Sequence, residues 1–326
     1  AAHDMVNGNF DCVLIGDESL LVQCAELLRG RGHRVAAIVT ESASIRGYAE
    51  RNGIRATGWG DDLALQLDGI DYDWLFSAAN LRLIPEAVWR KARRGAANFH
   101  DGPLPRYAGL NAPAWAILAS ETTHGVTWHA LASGVDEGGI YVQRTFDIAP
   151  DETALMLNTK CFEAGMDSFS ELLDGIEAGT LAAKPQDLGQ RSYFGRKMRP
   201  AAAATLRFDQ PARDLERLVR ALDFGQGYAN PLVTPKVLTE NGIFAVTGFA
   251  LTGERATATP GTVVSVSANG VVIAASDELV TVAGQRLDDG EAMTASLRSG
   301  LVLPRLGESE ADRLTDAVAD VVGHEG

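Results

Sequence analysis

The chain of 326 residues is short of several things at once. It has only three cysteines, Cys12, Cys24 and Cys161, too few and too scattered for a disulfide framework or a cysteine-rich zinc site. They are expected as reduced thiols buried as small hydrophobes, as in a cytoplasmic protein. The six histidines show no zinc-type spacing with them, so no metal is expected. No apolar run approaches the roughly 20 residues that span a bilayer. The opening segment, AAHDMVNGNF, has no cationic stretch followed by an apolar one. Neither a membrane span nor a secretory signal is therefore expected. Positive charge is in deficit, with 29 Lys and Arg against 43 Asp and Glu and a net charge of -14. That disfavours nonspecific binding to nucleic acid or to a membrane surface. Missing too is the spaced triple glycine of a dinucleotide-binding turn: the first expected strand runs into Gly16-Asp17-Glu18-Ser19.

What is present is an ordinary globular composition, 46% apolar and 22% charged, at a length that suggests two domains. The first half alternates strand and helix signals. Short apolar runs at 12–16, 34–40, 73–80 and 95–100 read as strands, with helical periodicity over 19–30 and 84–93 between them. Connections of that length predict a mostly parallel, Rossmann-like sheet. Runs at 124–131 and 141–148 read as further strands, and 153–179 as one long amphipathic helix. Near residue 190 the pattern changes to a Gly-, Pro- and Ala-rich stretch. Beyond it come a helix and five short apolar runs broken by Gly and Asn, which predict a small OB-like β-barrel. The expected boundaries are a catalytic domain over 1–190, a linker over 191–205, the barrel over 206–305 and a terminal helix or linker over 306–326, with helical signal at 310–323. His33, in a helix-to-strand turn, is expected to be solvated, and Trp74 and Trp115 to be core.

The segment from Asn98 to Gly139 carries the chemistry. Asn98-Phe99-His100 closes an expected parallel strand, and ligands of open α/β sheets gather at the carboxyl ends of strands. Strand alternation turns Asn98 and His100 to the same side. A carboxamide and an imidazole there could stabilise an oxyanion on an attacked carbonyl, or could simply bond a loop. Asp101-Gly102-Pro103-Leu104-Pro105-Arg106-Tyr107-Ala108-Gly109 is a stiff loop that could wall a site. Ser133-Gly134-Val135-Asp136-Glu137-Gly138-Gly139 lies between two expected strands. A carboxylate at Asp136 near His100 would fix its tautomer and favour its charged form; the plainer reading is a turn aspartate. His129, beside Trp128, reads as a satisfied structural histidine.

Taken in order, Asn98-x-His100, Leu104-Pro105-Arg106-Tyr107-x-Gly109, Trp115 to Leu118, Glu121, Gly125-Val126-Thr127 and Gly134-Val135-Asp136-x-Gly138-Gly139-Ile140 resemble the 10-formyltetrahydrofolate-dependent formyltransferases. That family includes the methionyl-tRNA, glycinamide ribonucleotide and sugar-nucleotide enzymes. The resemblance is strong over about 10–180, and the tail after 205 is similar in layout to the family's C-terminal domain. It implies a catalytic set of Asn98, His100 and Asp136, a formyl carbon attacked by a substrate amine, and 10-formyltetrahydrofolate as cosubstrate without a metal. It also implies a folate crevice walled by Leu81, Arg82 and Leu83, continuing to Ile84 and Pro85, and by Ser133, Gly134 and Val135.

One stretch departs from the family. His-Pro-Ser-Leu-Leu-Pro is usual where this chain has His100-Asp101-Gly102-Pro103-Leu104-Pro105, which places Asp101, Gly102, Pro103, Arg106 and Tyr107 in a substrate loop of its own kind. The variant, with Gly125 to His129, resembles formyltransferase domains at the front of nonribosomal peptide synthetases. It implies an aminoacyl group on a carrier protein as the acceptor. A sugar-nucleotide amine, a non-catalytic docking domain of an assembly line, and another carrier such as coenzyme A are the alternatives. A tRNA acceptor is disfavoured, because residues 206–326 hold 10 basic against 17 acidic side chains, a net of -7.

Overall fold

The computed structural model describes residues 8–312. They fall into two compact units. The first takes the chain up to 112, then 123–147 and 158–194; the second takes 113–122, 148–157 and the chain from 195 on.

The first unit is built on β1 (Asp11–Ile15), α1 (Ser19–Gly30), β2 (Arg34–Val39), α2 (Ala43–Arg51), β3 (Ala56–Thr57), α3 (Leu63–Gln66), β4 (Trp74–Ser77), α4 (Glu86–Trp89), β5 (Gly95–His100), β6 (Ala108–Gly109), α5 (Ala112–Leu118), β7 (Thr123–Ala130), β8 (Ile140–Asp147), α6 (Ala154–Ala178) and β9 (Tyr193–Phe194). Helices α5 and α6 each run across the boundary between units. Seven strands form one sheet in the order β3-β2-β1-β4-β5-β7-β8. The first five are parallel, as the strand–helix alternation predicts; β7 and β8 are antiparallel.

Because a strand sends successive side chains to opposite faces, this sheet has two cores. Cys12, Leu14, Trp74, Phe76, Ala97 and Phe99 face one, which is completed by Trp128 and Phe169. Val13, Ile15, Leu75 and Ala96 face the other, with Trp59, Leu67 and Tyr72. The alternation in β5 follows from this: with Phe99 in the first core, Asn98 and His100 emerge on the opposite face at the strand's carboxyl end. All three cysteines are free thiols and buried, and burial pushes the Cys12 and Cys24 thiols up.

Two expectations need correction here. The helix expected over 84–93 is only the four residues of α4. Beyond it the backbone N–H groups of Arg93 and Arg94 donate to the carbonyls of Tyr72 and Asp73, so β4 captures the chain and the helical ladder stops. His33 is buried, not solvated. Its ring stacks on Phe10 at 3.8 Å, Nδ1 accepts from Phe10 N and Nε2 lies 2.8 Å from Glu177 Oε1.

The second unit carries α7 (Ala212–Ala221), β10 (Lys236–Thr239), β11 (Gly242–Arg255), β12 (Val263–Ser267), β13 (Gly270–Ala274), β14 (Glu278–Arg286) and α8 (Met293–Ser296). The five expected apolar runs form one antiparallel sheet ordered β10-β11-β14-β13-β12. β11 is fourteen residues long and slips register against β14 at Val246/Gly248 and Leu251/Arg255, the irregularity that bends a long strand around a small core. Phe244, Val271, Ile273, Val280 and Val282 fill that core with Leu215 of α7. No pairing joins β10 to β12 among the described residues. The terminal helix expected at 310–323 lies outside the described residues beyond position 312. Among the described residues no helix is long and apolar enough to cross a membrane.

Candidate active site

Three segments of the first unit meet at the carboxyl end of β5. The strand ends in Asn98 and His100. Antiparallel pairing with β7 sets Asn98 opposite His129 and His100 opposite Thr127. The loop from β7 to β8 brings Asp136, held at φ +55°, a left-handed conformation that aspartate tolerates better than most residues.

His100 is buried, and its two nitrogens face different partners. Nε2 lies 2.6 Å from the Tyr107 carbonyl oxygen, to which it donates. Nδ1 lies 3.5 Å from Asp136 Oδ2. Asp136 also accepts from the Gly109 N–H at 3.0 Å through Oδ2, while its Oδ1 stands 3.3 Å from His129 Nε2. Burial works to raise the Asp136 pKa. The hydrogen bond from His129, the charges of His100 and His129 and the Gly109 N–H outweigh it and hold the carboxyl well below the usual carboxylate range. Asp136 is therefore an anion at any neutral pH.

His129 is the residue that the sequence reading passed over. It is buried as expected of a structural histidine, but it joins two members of the proposed set. Nε2 faces Asp136 and lies 3.2 Å from Asn98 Nδ2, and Nδ1 lies 2.9 Å from the Ala130 carbonyl. The carbonyl and the carboxylate are both acceptors for this ring. A half-turn of the Asn98 carboxamide then gives Nε2 an oxygen and frees the amide N–H₂. The signal was available in part: alternation along Thr127-Trp128-His129 turns Thr127 and His129 to one face.

The loop from Asp101 to Tyr107 is sewn down on this site. The Thr127 hydroxyl donates to the Gly102 carbonyl at 2.8 Å and accepts from the Leu104 N–H. Gln143 donates to the Leu104 carbonyl and to Thr127 Oγ1, both at 2.9 Å. His124 Nε2 binds the Asp101 carbonyl at 2.8 Å, and the Tyr107 N–H donates to Ser192 Oγ at 2.7 Å. Gly102 lies directly over the His100 imidazole. A Cβ there would stand 2.8 Å from both His100 Nε2 and the Tyr107 carbonyl oxygen, so the serine usual at this place would not fit. Pro103 packs beside Gly125, and the Arg106 guanidinium stacks over the Tyr107 ring at 5.3 Å.

The two expected walls are loops. Leu81, Arg82 and Leu83 follow β4 in a turn made by Asn80, whose side chain bonds the Arg82 N–H and carbonyl. Leu81 and Leu83 are 85% and 76% exposed, an apolar display with no core beneath it. Ser133, Gly134 and Val135 precede Asp136 and are tied from far along the chain. Arg191 donates to the Val135 carbonyl at 2.8 Å, and Gln186 donates to the carbonyls of Asp136 and Gly138 at 2.8 and 2.7 Å. Gly138 completes the anchor: a Cβ there would stand 1.7 Å from the Ala130 carbonyl oxygen.

A family model described as formyl transferase matches residues 16–173, and one described as formyl transferase, C-terminal domain, matches residues 200–298. The chain belongs to the formyl transferase family. As a formyltransferase it is an enzyme that moves a one-carbon acyl group, and the convergence of Asn98, His100 and Asp136 lies inside the first matched region. Its fold is that of solved structures at low identity. One is WlaRD, a sugar 3N-formyl transferase solved in the presence of dTDP and 5-N-formyl-THF, with 20% identity, a TM-score of 0.65, and coverage of 86% of this chain and 98% of that one. Another is an N-formyltransferase from Helicobacter canadensis in complex with folinic acid and dTDP-3-aminofucose, with 20% identity, a TM-score of 0.63 and coverage of 83% and 98%. HypX from Aquifex aeolicus in complex with tetrahydrofolic acid, with 19% identity and a TM-score of 0.60, shares 86% of this chain but 45% of its own.

Proposed function

We propose that this formyltransferase moves a formyl group from 10-formyltetrahydrofolate to a primary amine of a small biosynthetic molecule, using Asn98, His100 and Asp136. The observation that carries the reading is the Asp136–His100 pair beside Asn98, buried at the end of β5. In the catalytic domain, 1–190 by sequence, the loops at 81–83 and 133–135 hold the folate. Leu81 and Leu83 suit a flat heteroaromatic ring, since they offer apolar surface that nothing in the unit covers. The folate supplies an activated formyl group.

The residues then act on charge. When the amine attacks, the formyl oxygen becomes an oxyanion. The Asn98 carboxamide donates to it, and the His100 ring, anchored between the Tyr107 carbonyl and Asp136, adds a second polar group beside it. Asp136 orients His100, and His129 fixes the other edge of Asp136. Preorganised donors of this kind are worth about 3–4 kcal/mol each in the barrier.

For the acceptor, the amino-sugar nucleotide named with one similar fold supports that reading over a carrier-bound aminoacyl group, which rests on the resemblance of the loop at Asp101 to Tyr107 and of Gly125 to His129. The acidic tail supports either over tRNA. The test is mass spectrometry of amino-sugar nucleotides and aminoacyl thioesters incubated with 10-formyltetrahydrofolate and the chain. A formyl mass gain that disappears in His100→Ala supports the reading; no gain with any amine overturns it.

A further inference from the structure

His100 Nδ1 faces two carboxylates, not one. Asp136 Oδ2 lies at 3.5 Å and Asp101 Oδ1 at 3.8 Å, so the imidazole edge is shared between the loop after β7 and the loop after β5. The two acids are unlike in what they have left to give. Asp136 has its Oδ1 on His129 and its Oδ2 on the Gly109 N–H as well as on His100, and its side chain is 10% exposed. The Asp101 side chain is 33% exposed, and among the described residues its carboxylate has no partner other than His100. Its place is nonetheless fixed. The Asp101 carbonyl is bound by His124 Nε2, the next carbonyl by Thr127 Oγ1, and the bare Gly102 lets the loop lie close on His100.

We propose that Asp101 is the carboxylate that binds the acceptor's ammonium group and takes the proton it must lose before it attacks. This deepens the formyl-transfer reading and rests on it. A primary aliphatic amine is protonated at neutral pH and has no lone pair to give. Asp136 is a poor proton acceptor because three groups stabilise its anion. Asp101 offers open lone pairs at the exposed side of the same imidazole. The charged groups facing it are His100 from β5, Asp136 across His100 Nδ1 and, on its carbonyl, His124 from β7; Cys161 Sγ of α6 lies 4.0 Å from that carbonyl.

The step balances. The ammonium gives one proton to Asp101 and becomes a neutral amine. Its lone pair forms the new bond to the formyl carbon while the carbonyl pair moves to oxygen. As that pair returns, the bond from the formyl carbon to the folate nitrogen breaks. The folate nitrogen takes the second amine proton, and Asp101 releases the first to solvent. The position next to the catalytic histidine thus becomes an acceptor-binding residue in this chain, where a proline could not serve.

The test is Asp101→Asn, which keeps the shape and loses the base, with Asp101→Glu as the conservative variant. The probes are dTDP-3-aminofucose and a leucyl thioester, with rates followed from pH 6 to 10 and folinic acid binding measured alongside. Asp101→Asn is expected to lose about 10²-fold in kcat/KM for the amine at neutral pH. The loss should shrink as rising pH supplies free amine, Asp101→Glu should recover part of the rate, and folinic acid affinity should stay unchanged. Activity within two-fold of the wild type throughout, or a loss equal at every pH, overturns the role of Asp101 alone. A wild-type chain that binds folinic acid and formylates neither probe overturns the reading of these amines as its acceptors, and the role of Asp101 toward them with it.

Discussion

His129 Nε2 stands 3.3 Å from Asp136 Oδ1 and 3.2 Å from Asn98 Nδ2, so a histidine outside the proposed catalytic set touches two of its members. Replacing it with leucine should leave Asp136 and Asn98 free to turn. A misplacement of about 1 Å costs on the order of 10²-fold in rate. We expect His129→Leu to lower kcat by about that factor with little change in folinic acid affinity, as steady-state kinetics and titration would report. Wild-type kcat in this variant would remove the positioning role.

Asp136 ties stability to acid. Its pKa is lower in the folded chain than in the unfolded one, so its contribution is complete above about pH 4 and fades as pH falls through the lowered folded value. Asp136→Asn should be less stable than the wild type at pH 7, and the gap should narrow only below about pH 4. Chemical denaturation at a series of pH values measures it; a gap that narrows between pH 7 and 5 contradicts the assignment.

Gly138→Ala tests the anchor of the Asp136 loop. The added Cβ would meet the Ala130 carbonyl oxygen at 1.7 Å, and backbone cannot yield as a flexible side chain can. A loss of about 1–3 kcal/mol is expected, with formyl transfer falling further than stability because Asp136 moves. A variant as stable and as active as the wild type would show that the loop sits elsewhere.

Lys236, in the second unit, works in the opposite direction to Asp136. Burial lowers its pKa from 10.5 to about 8, and its ammonium binds the Ala203 carbonyl. The unfolded chain therefore holds the Lys236 proton over a range where the folded chain has released it, and folding is favoured as pH rises from about 8 to 10.5. In Lys236→Met this rise should be missing, so the wild type gains on the variant across that window. Parallel denaturation curves at pH 7.5 and 10 with a constant difference would refute it.

Phe76 reports on the core that supports β5. It is fully buried, edge-on to Phe169 at 5.1 Å and stacked with Trp74 at 5.7 Å. Phe76→Ala should cost about 3–5 kcal/mol, read as a lowered denaturation midpoint. A loss under 1 kcal/mol would mean that the sheet closes over the gap.

Local periodicity was enough for the first tier of this protein. Apolar strands spaced by helices require a buried parallel sheet, and alternation through Asn98, Phe99 and His100 requires two polar groups on one face once Phe99 is in the core. Asp136 read locally as a turn aspartate, and it was the resemblance to the family that set it with Asn98 and His100, because turn chemistry is local and says nothing of a partner on another strand. What pairing decides was not legible. Asn98 meets His129 because β7 runs antiparallel to β5 in one register, and a register is set by contacts between segments thirty residues apart. His33 was misread because the Glu177 that binds it lies 144 residues away. Gln186 and Arg191, which tie the Asp136 loop, are ordinary polar residues until the chain returns to that loop. Asp101 looked like one member of a changed loop. Only the fold set its carboxylate on the second side of the His100 edge, since the distance between two side chains on separate loops is a property of packing and not of spacing along the chain.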